Sequence, residues 1–118
     1  MDADSVRELF QEFGPVSVRR MFGGQGIFVE ELMIALISRG VIYLKADAET
    51  IPRFETEGLG PFSYATKEGA RVLESYWRMP DRLYDDAEEL ARWARAAHAA
   101  ALRSSLRKRK PARRAHQR

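Results

Sequence analysis

Arg19-Arg20-Met21-Phe22-Gly23-Gly24-Gln25-Gly26-Ile27-Phe28, followed by Met33-Ile34-Ala35-Leu36-Ile37 and Val41-Ile42-Tyr43-Leu44-Lys45-Ala46-Asp47, is the stretch that decides the fold. Three apolar runs are separated by short breaks carrying turn-type residues. That spacing predicts an antiparallel meander. Strands are expected over 16–21, 25–29, 33–37 and 41–45. The third run is apolar at every position, so it is expected to be a central strand covered on both faces. Ser38-Arg39-Gly40 reads as a hairpin connection with glycine available for positive φ.

Helices are predicted on either side of this meander. Val6, Leu9, Phe10 and Phe13 follow one buried helical stripe, with Asp4 or Ser5 as the cap and Gly14-Pro15 as the stop. A short middle helix runs over 51–57. Pro52 is tolerated only in its first turn, which selects Thr50 over Asp47 as its cap. A second hairpin covers 62–66 and 71–78, with Leu73, Ser75 and Trp77 on one face. The last helix is expected from Asp85, where Asp85-Asp86-Ala87-Glu88 has capping-box spacing. Its buried stripe is Leu90, Trp93, Ala94, Ala97 and Ala101. The expected class is α+β: an antiparallel sheet flanked by N-terminal, middle and C-terminal helices.

Charge is unevenly distributed. Arg103, Arg107, Lys108, Arg109, Lys110, Arg113, Arg114 and Arg118 fall in the last sixteen residues without one acid among them, while residues 1–102 carry a net −5. The sequence therefore divides into an α/β domain over 1–106 and a basic tail over 107–118, in which loss of the apolar stripe and like-charge repulsion predict fraying. The tail reads either as a solubilising extension or as a non-specific nucleic-acid contact made by Arg103, Arg107, Lys108, Arg109, Lys110, Arg113 and Arg114. There is no cysteine, which fits a reducing cytoplasm. The acidic N-terminus lacks the apolar core of a secretory signal, and no apolar run is long enough to span a bilayer, so no membrane partner is expected.

The remaining motifs each have a structural reading beside a functional one. Gly23-Gly24-Gln25-Gly26 could cradle a phosphate, but a strand signal follows where a helix is needed, so a tight turn or bulge is favoured. Arg19 and Arg20 could bind an anion; otherwise they are strand arginines, one solvated and one paired. Tyr76 and Trp77 could stack on a base, but adjacent strand residues point to opposite faces, and core packing is favoured. A pocket lined by Phe22, Tyr43, Tyr64 and Trp77 would suit a small ligand. His98 and His116 lack partners at metal-ligand spacing, and Asp81, Asp85 and Asp86 read as helix-capping groups. No cofactor and no catalytic residue can be assigned.

Arg20-Met21-Phe22-Gly23-Gly24, Gly26-Ile27-Phe28, Tyr43-Leu44-Lys45-Ala46-Asp47, Phe54 with Gly58, Pro61-Phe62-x-Tyr64, Ser75-Tyr76-Trp77 and Pro80 together resemble the N-terminal domain of the TfoX/Sxy family of bacterial competence regulators. The resemblance covers about residues 4–101. It implies an antiparallel sheet with flanking helices, as in secretion chaperones, and it implies self-association as a homodimer. It implies a regulatory role through protein contact and brings no enzymatic chemistry. Arg20, Met21, Phe22, Gly23, Gly24, Gly26, Phe28, Tyr76 and Trp77 are motif residues with an expected structural role. Full-length regulators look like this domain followed by a second helical domain, where this sequence has its basic tail. Glu30-Glu31-Leu32 also departs from the family, whose members tend to have a glycine-containing turn there.

Overall fold

A computed structural model describes the backbone of residues 1–21 and 23–116 and the side chains of those up to Lys108. Phe22 and residues 117–118 lie outside the described residues. The elements are α1 (Ala3–Leu9), β1 (Ser17–Met21), β2 (Gly24–Val29), β3 (Leu32–Ser38), β4 (Val41–Lys45), α2 (Ile51–Thr56), β5 (Pro61–Thr66), β6 (Gly69–Arg78), a 3-10 turn (Asp81–Asp85) and α3 (Ala87–His116). The six strands form one antiparallel sheet in the order β1-β2-β3-β4-β6-β5. The α+β architecture is the one expected.

Local chemistry sets the element ends. The cap of α1 is Asp2, whose carboxylate accepts the Ser5 N–H at 2.8 Å, and not Asp4 or Ser5. The helix ends at Leu9, and its last apolar residues ride on the turn that follows. Val6 and Phe10 are fully buried as the stripe requires. Thr50 occupies the cap position of α2 without a side-chain capping bond. Its hydroxyl turns back to accept the Asp47 N–H at 3.0 Å. The start of α3 is displaced by one residue from the expected box: Asp86 accepts the Glu89 N–H at 3.0 Å, and residues 81–85 form the 3-10 turn. The backbone of α3 is helical to His116, beyond the point where the charge run predicts fraying. Ala, Arg and Lys all have high helix propensity, which favours this continuation.

All three helices cover the same face of the sheet. Val6 of α1 and Phe10 just after it, Phe54 of α2, and Leu90, Trp93, Ala94, Ala97 and Ala101 of α3 meet Ile27, Ala35, Ile37, Ile42, Leu44 and Trp77 in one buried cluster. Phe54 is the hub of its aromatic part, with ring centroids 5.1 Å from Trp93 and 6.0 Å from Trp77.

Two irregularities shape the opposite face. The β2–β3 register shifts between Ile27 and Phe28, which pair with Ala35 and Met33. Ile34 is the extra residue, and both Ile34 and Ala35 are fully buried in the helix-side cluster. Met33 and Leu36, which strict alternation would separate, both line the uncovered face. β3 is therefore covered on one side and half-buried on the other, not enclosed on both. The second irregularity lies in β6. Trp77 pairs with Pro61 but Leu73 pairs with Phe62, so residues 74–76 have no counterpart in β5. Leu73 and Trp77 accordingly fall on opposite faces, contrary to the simple alternation expected. Past this point the β5–β6 hairpin leaves β4, which pairs with β6 over Tyr76–Arg78 alone, and overhangs the uncovered face.

Candidate functional site

The uncovered face carries an apolar groove of about 470 Å³. One wall is the sheet, through Met21, Met33 and Leu36. The other is the overhanging hairpin, through Phe62, Tyr64 and Leu73. The hairpin wall is ordered by aromatic contacts: Phe62 stacks on Tyr64 at 5.8 Å and meets Tyr43 edge-on at 4.9 Å. Tyr64 is 49% exposed and Leu73 36%. A contiguous apolar patch of this kind is the feature of the described surface most suited to contact with another molecule, which makes the groove the candidate site.

Glycines set the packing of the strands beside the groove, and Gly24 lines it. A Cβ on Gly26 would stand 2.7 Å from Met21 Sδ, 2.8 Å from Phe28 Cε1 and 2.9 Å from Met33 Sδ. The space above Gly26 is thus filled by two motif side chains, Met21 and Phe28, together with Met33. At Gly24 a Cβ would overlap the Ile37 carbonyl oxygen, so close approach of β2 to β3 requires glycine. Gly23 has φ +77° in the β1–β2 turn. The glycine run serves a turn and a strand, with no helix N-terminus to complete a phosphate loop.

Tyr76 closes one side of this face. It is buried, its hydroxyl donates to the Met33 carbonyl at 3.4 Å, and burial pushes its ionisation up to about 12. Trp77 is buried on the helix side, and its indole N–H donates to the Glu74 carbonyl at 2.9 Å. Tyr76 and Trp77 therefore point to opposite faces, as expected, and form no common platform. The same division breaks up the sequence-predicted ligand pocket: Tyr43 and Tyr64 belong to the open face, Trp77 to the core, and Phe22 lies outside the described residues.

The two strand arginines divide. Arg19 lies over the Phe28 ring at 4.1 Å, donates to the Glu30 carbonyl at 3.3 Å and faces the Glu31 carboxylate at 3.7 Å. Arg20 makes no ion pair among the described residues. With Arg39 it lines a shallow hollow at the strand ends. This hollow shares Met21, Gly24, Gln25 and Ile37 with the groove. A cationic shelf therefore continues directly from an apolar trough.

The basic residues of α3 also divide. Arg103 is held by the domain: its Nε lies 2.7 Å and one terminal nitrogen 3.1 Å from the two Asp47 oxygens, with Glu49 at 3.1 Å. The Arg103 guanidinium holds the Asp47 carboxyl below the usual carboxylate range. Arg107 and Lys108 are exposed. They raise the positive potential around Lys45, whose ammonium is shifted down first by burial and then by Lys108 and Arg107. Lys45 Nζ stands 5.0 Å from the Tyr76 ring centre. The side chains of Arg109, Lys110, Arg113 and Arg114 lie outside the described ones. Sequence reasoning grouped Arg103 with these cations. Its acidic partner is 56 positions away, beyond the reach of any local pattern.

Other titratable groups have structural partners. His98 packs edge-on to Phe13 at 6.2 Å. Arg82 bridges Glu57 at 2.6 Å and Glu89 at 2.7 Å, tying α2 to α3. Among the described residues no cluster of His, Asp and Glu is placed to hold a metal ion, and no helix is long and apolar enough to cross a membrane.

Residues 8–101 match the family described as the TfoX N-terminal domain. A 57-residue segment is 35% identical to the DNA transformation protein TfoX1 of Aliivibrio fischeri, covering 48% of this chain and 27% of that protein. The chain thus spans about a quarter of the length of that relative. With four-fifths of its residues matched, the chain belongs to the TfoX N-terminal domain family.

Proposed function

We propose that this domain is a non-enzymatic regulatory module of the competence-regulator type, which acts in the cytoplasm by protein contact through the groove between the sheet and the β5–β6 hairpin. The observation that carries this reading is the groove itself. Its lining is mostly apolar and aromatic, it adjoins two arginines without ion-pair partners among the described residues, and four of its lining residues, Met21, Gly24, Phe62 and Tyr64, belong to the family motifs. The relative named for DNA transformation supplies the process. Self-association as a homodimer is part of the proposal. Leu102 and Leu106, 46% and 53% exposed and one turn apart on α3, offer a second apolar patch for it.

The test is genetic and biophysical together. In the source bacterium, removal of the gene is expected to change DNA uptake, and wild-type protein to restore it. Leu73→Asp, shown by thermal melting to be folded, is expected not to restore it. Full restoration by Leu73→Asp would reject the groove as the working surface. Light scattering tests the dimer separately: a monomer at high micromolar concentration would reject it.

A second reading is supported by the convergence of Lys45, Arg107 and Lys108. In it the basic end of α3 contacts nucleic acid through phosphates, with affinity that falls steeply as salt is added. Deleting residues 104–118 leaves the Arg103–Asp47 contact in place and is expected to abolish such binding. Unchanged affinity in the truncated protein would reject this reading.

A further inference from the structure

We propose that the partner of the groove is an extended peptide segment in which apolar side chains are followed by carboxylates. This rests on the reading of the groove as the working surface and adds the chemistry of what fills it. The argument begins with the trough. Met33, Leu36, Phe62 and Leu73 offer aliphatic and aromatic surface, so an occupant gains affinity there by burying apolar groups. The trough lies between a sheet and a β-hairpin, which suits an extended chain whose alternate side chains point the same way.

The second half of the site is the shelf. Arg20 and Arg39 are not in ion pairs among the described residues, and the shelf they line shares a wall with the trough. Arg39 is fixed there by the β3–β4 turn, where Arg39 and Gly40 have φ of +53° and +78°. Two positive φ values in succession define the tight hairpin turn whose twist matches the sheet. The guanidinium is thus carried on a short rigid connection rather than on a mobile loop. A segment with its apolar anchors in the trough brings its next residues over these two cations. Carboxylates there are attracted; ammonium groups are repelled.

The same features weigh against a nucleic acid as occupant. Strong polyanion binding needs many phosphate contacts, and the shelf offers two cations. The trough lining is mostly apolar, with Gln25, Ser38 and the Tyr64 hydroxyl as its polar side-chain groups, so the larger part of any occupant's affinity there comes from apolar burial.

Selection of short random peptides displayed on phage against the whole chain tests the proposal. Enriched sequences are expected to combine Leu, Ile, Phe or Met at alternate positions with Asp or Glu just beyond them. A selected peptide, labelled and titrated by fluorescence anisotropy, is expected to lose about tenfold in affinity when its acids are changed to Lys. Arg20→Glu combined with Arg39→Glu, shown by thermal melting to be folded, should reverse that preference, since both side chains are exposed and neither is in an ion pair among the described residues. Leu73→Asp should abolish binding of every form. Enrichment without acids, or equal affinity of the Asp and Lys forms, would overturn the acidic partner while leaving the groove as the working surface. Selected peptides that ignore Leu73→Asp would remove the groove itself. Self-association that the groove substitutions abolish, with no peptide enriched, would assign the groove to a second copy and also overturn the proposal.

Discussion

Replacing Arg103 by Met should cost this domain about 2 kcal/mol and leave any phosphate affinity of the α3 end nearly intact. Arg103 sends two N–H groups to one carboxylate whose side chain is 7% exposed. Hydrogen bonds to a charged group contribute about 1.5–3 kcal/mol, and breaking this one leaves Asp47 desolvated without its partner. The guanidinium is itself 31% exposed, so solvent screening places the loss toward the lower part of that range. For a domain of this size about 2 kcal/mol lowers the melting temperature by about 8 °C. Met retains the apolar stem, which separates the lost charge from lost packing. The pH dependence has a definite sign. The Asp47 carboxyl is depressed below 3.8 in the folded state, so its contribution is complete above that value and disappears as pH falls through the folded pKa. The gap between wild type and Arg103→Met should therefore close in strong acid. Thermal melts at neutral pH and at about pH 2, with Asp47→Asn and the double variant completing a cycle, measure all of this. A loss under about 0.5 kcal/mol, or one that stays constant into acid, would refute the reasoning.

Three further outcomes are expected. Gly24→Ala should destabilise more than Gly26→Ala, because the first meets the backbone carbonyl oxygen of Ile37 and the second meets side chains only, the ends of Met21 and Met33 and the ring edge of Phe28; overpacking of the second kind costs about 1–3 kcal/mol, and denaturant melts of both will show the order. Glu30→Gly should stabilise by about 1 kcal/mol, since Glu30 holds φ +54°, where an L side chain is disfavoured; no gain in melting temperature would contradict the turn geometry. Arg82→Ala should lower the melting temperature at neutral pH and lose that effect in acid, because Arg82 depresses both the Glu57 and Glu89 carboxyls and their stabilisation fades as pH drops below about 4.5.

The meander was legible because β1 to β4 are separated by turns with local chemistry, and α3 because its apolar residues recur at helical spacing. What escaped was the open face. Nothing in Met33-Ile34-Ala35-Leu36-Ile37 marks Ile34 as the bulged residue, because every residue there is apolar and either face would accept it. Yet that bulge places Met33 and Leu36 together. Likewise Leu73 to Trp77 reads as uninterrupted alternation, and only pairing with β5 reveals that residues 74–76 have no counterpart. The cap of α1 was missed because Asp2, Asp4 and Ser5 are chemically equivalent candidates. Glu30 did leave a trace: the family's glycine at that turn anticipates the positive φ found there.

The central claim is that the groove under the β5–β6 hairpin is where this domain meets its partner. A photo-crosslinking amino acid placed at Tyr64 or Leu73, with Leu102 as the comparison site, tests it in living cells of the source bacterium. Tyr64 and Leu73 should yield a covalent adduct to another protein that disappears with Leu36→Glu. Adducts formed at Leu102 but at neither groove position would contradict the account.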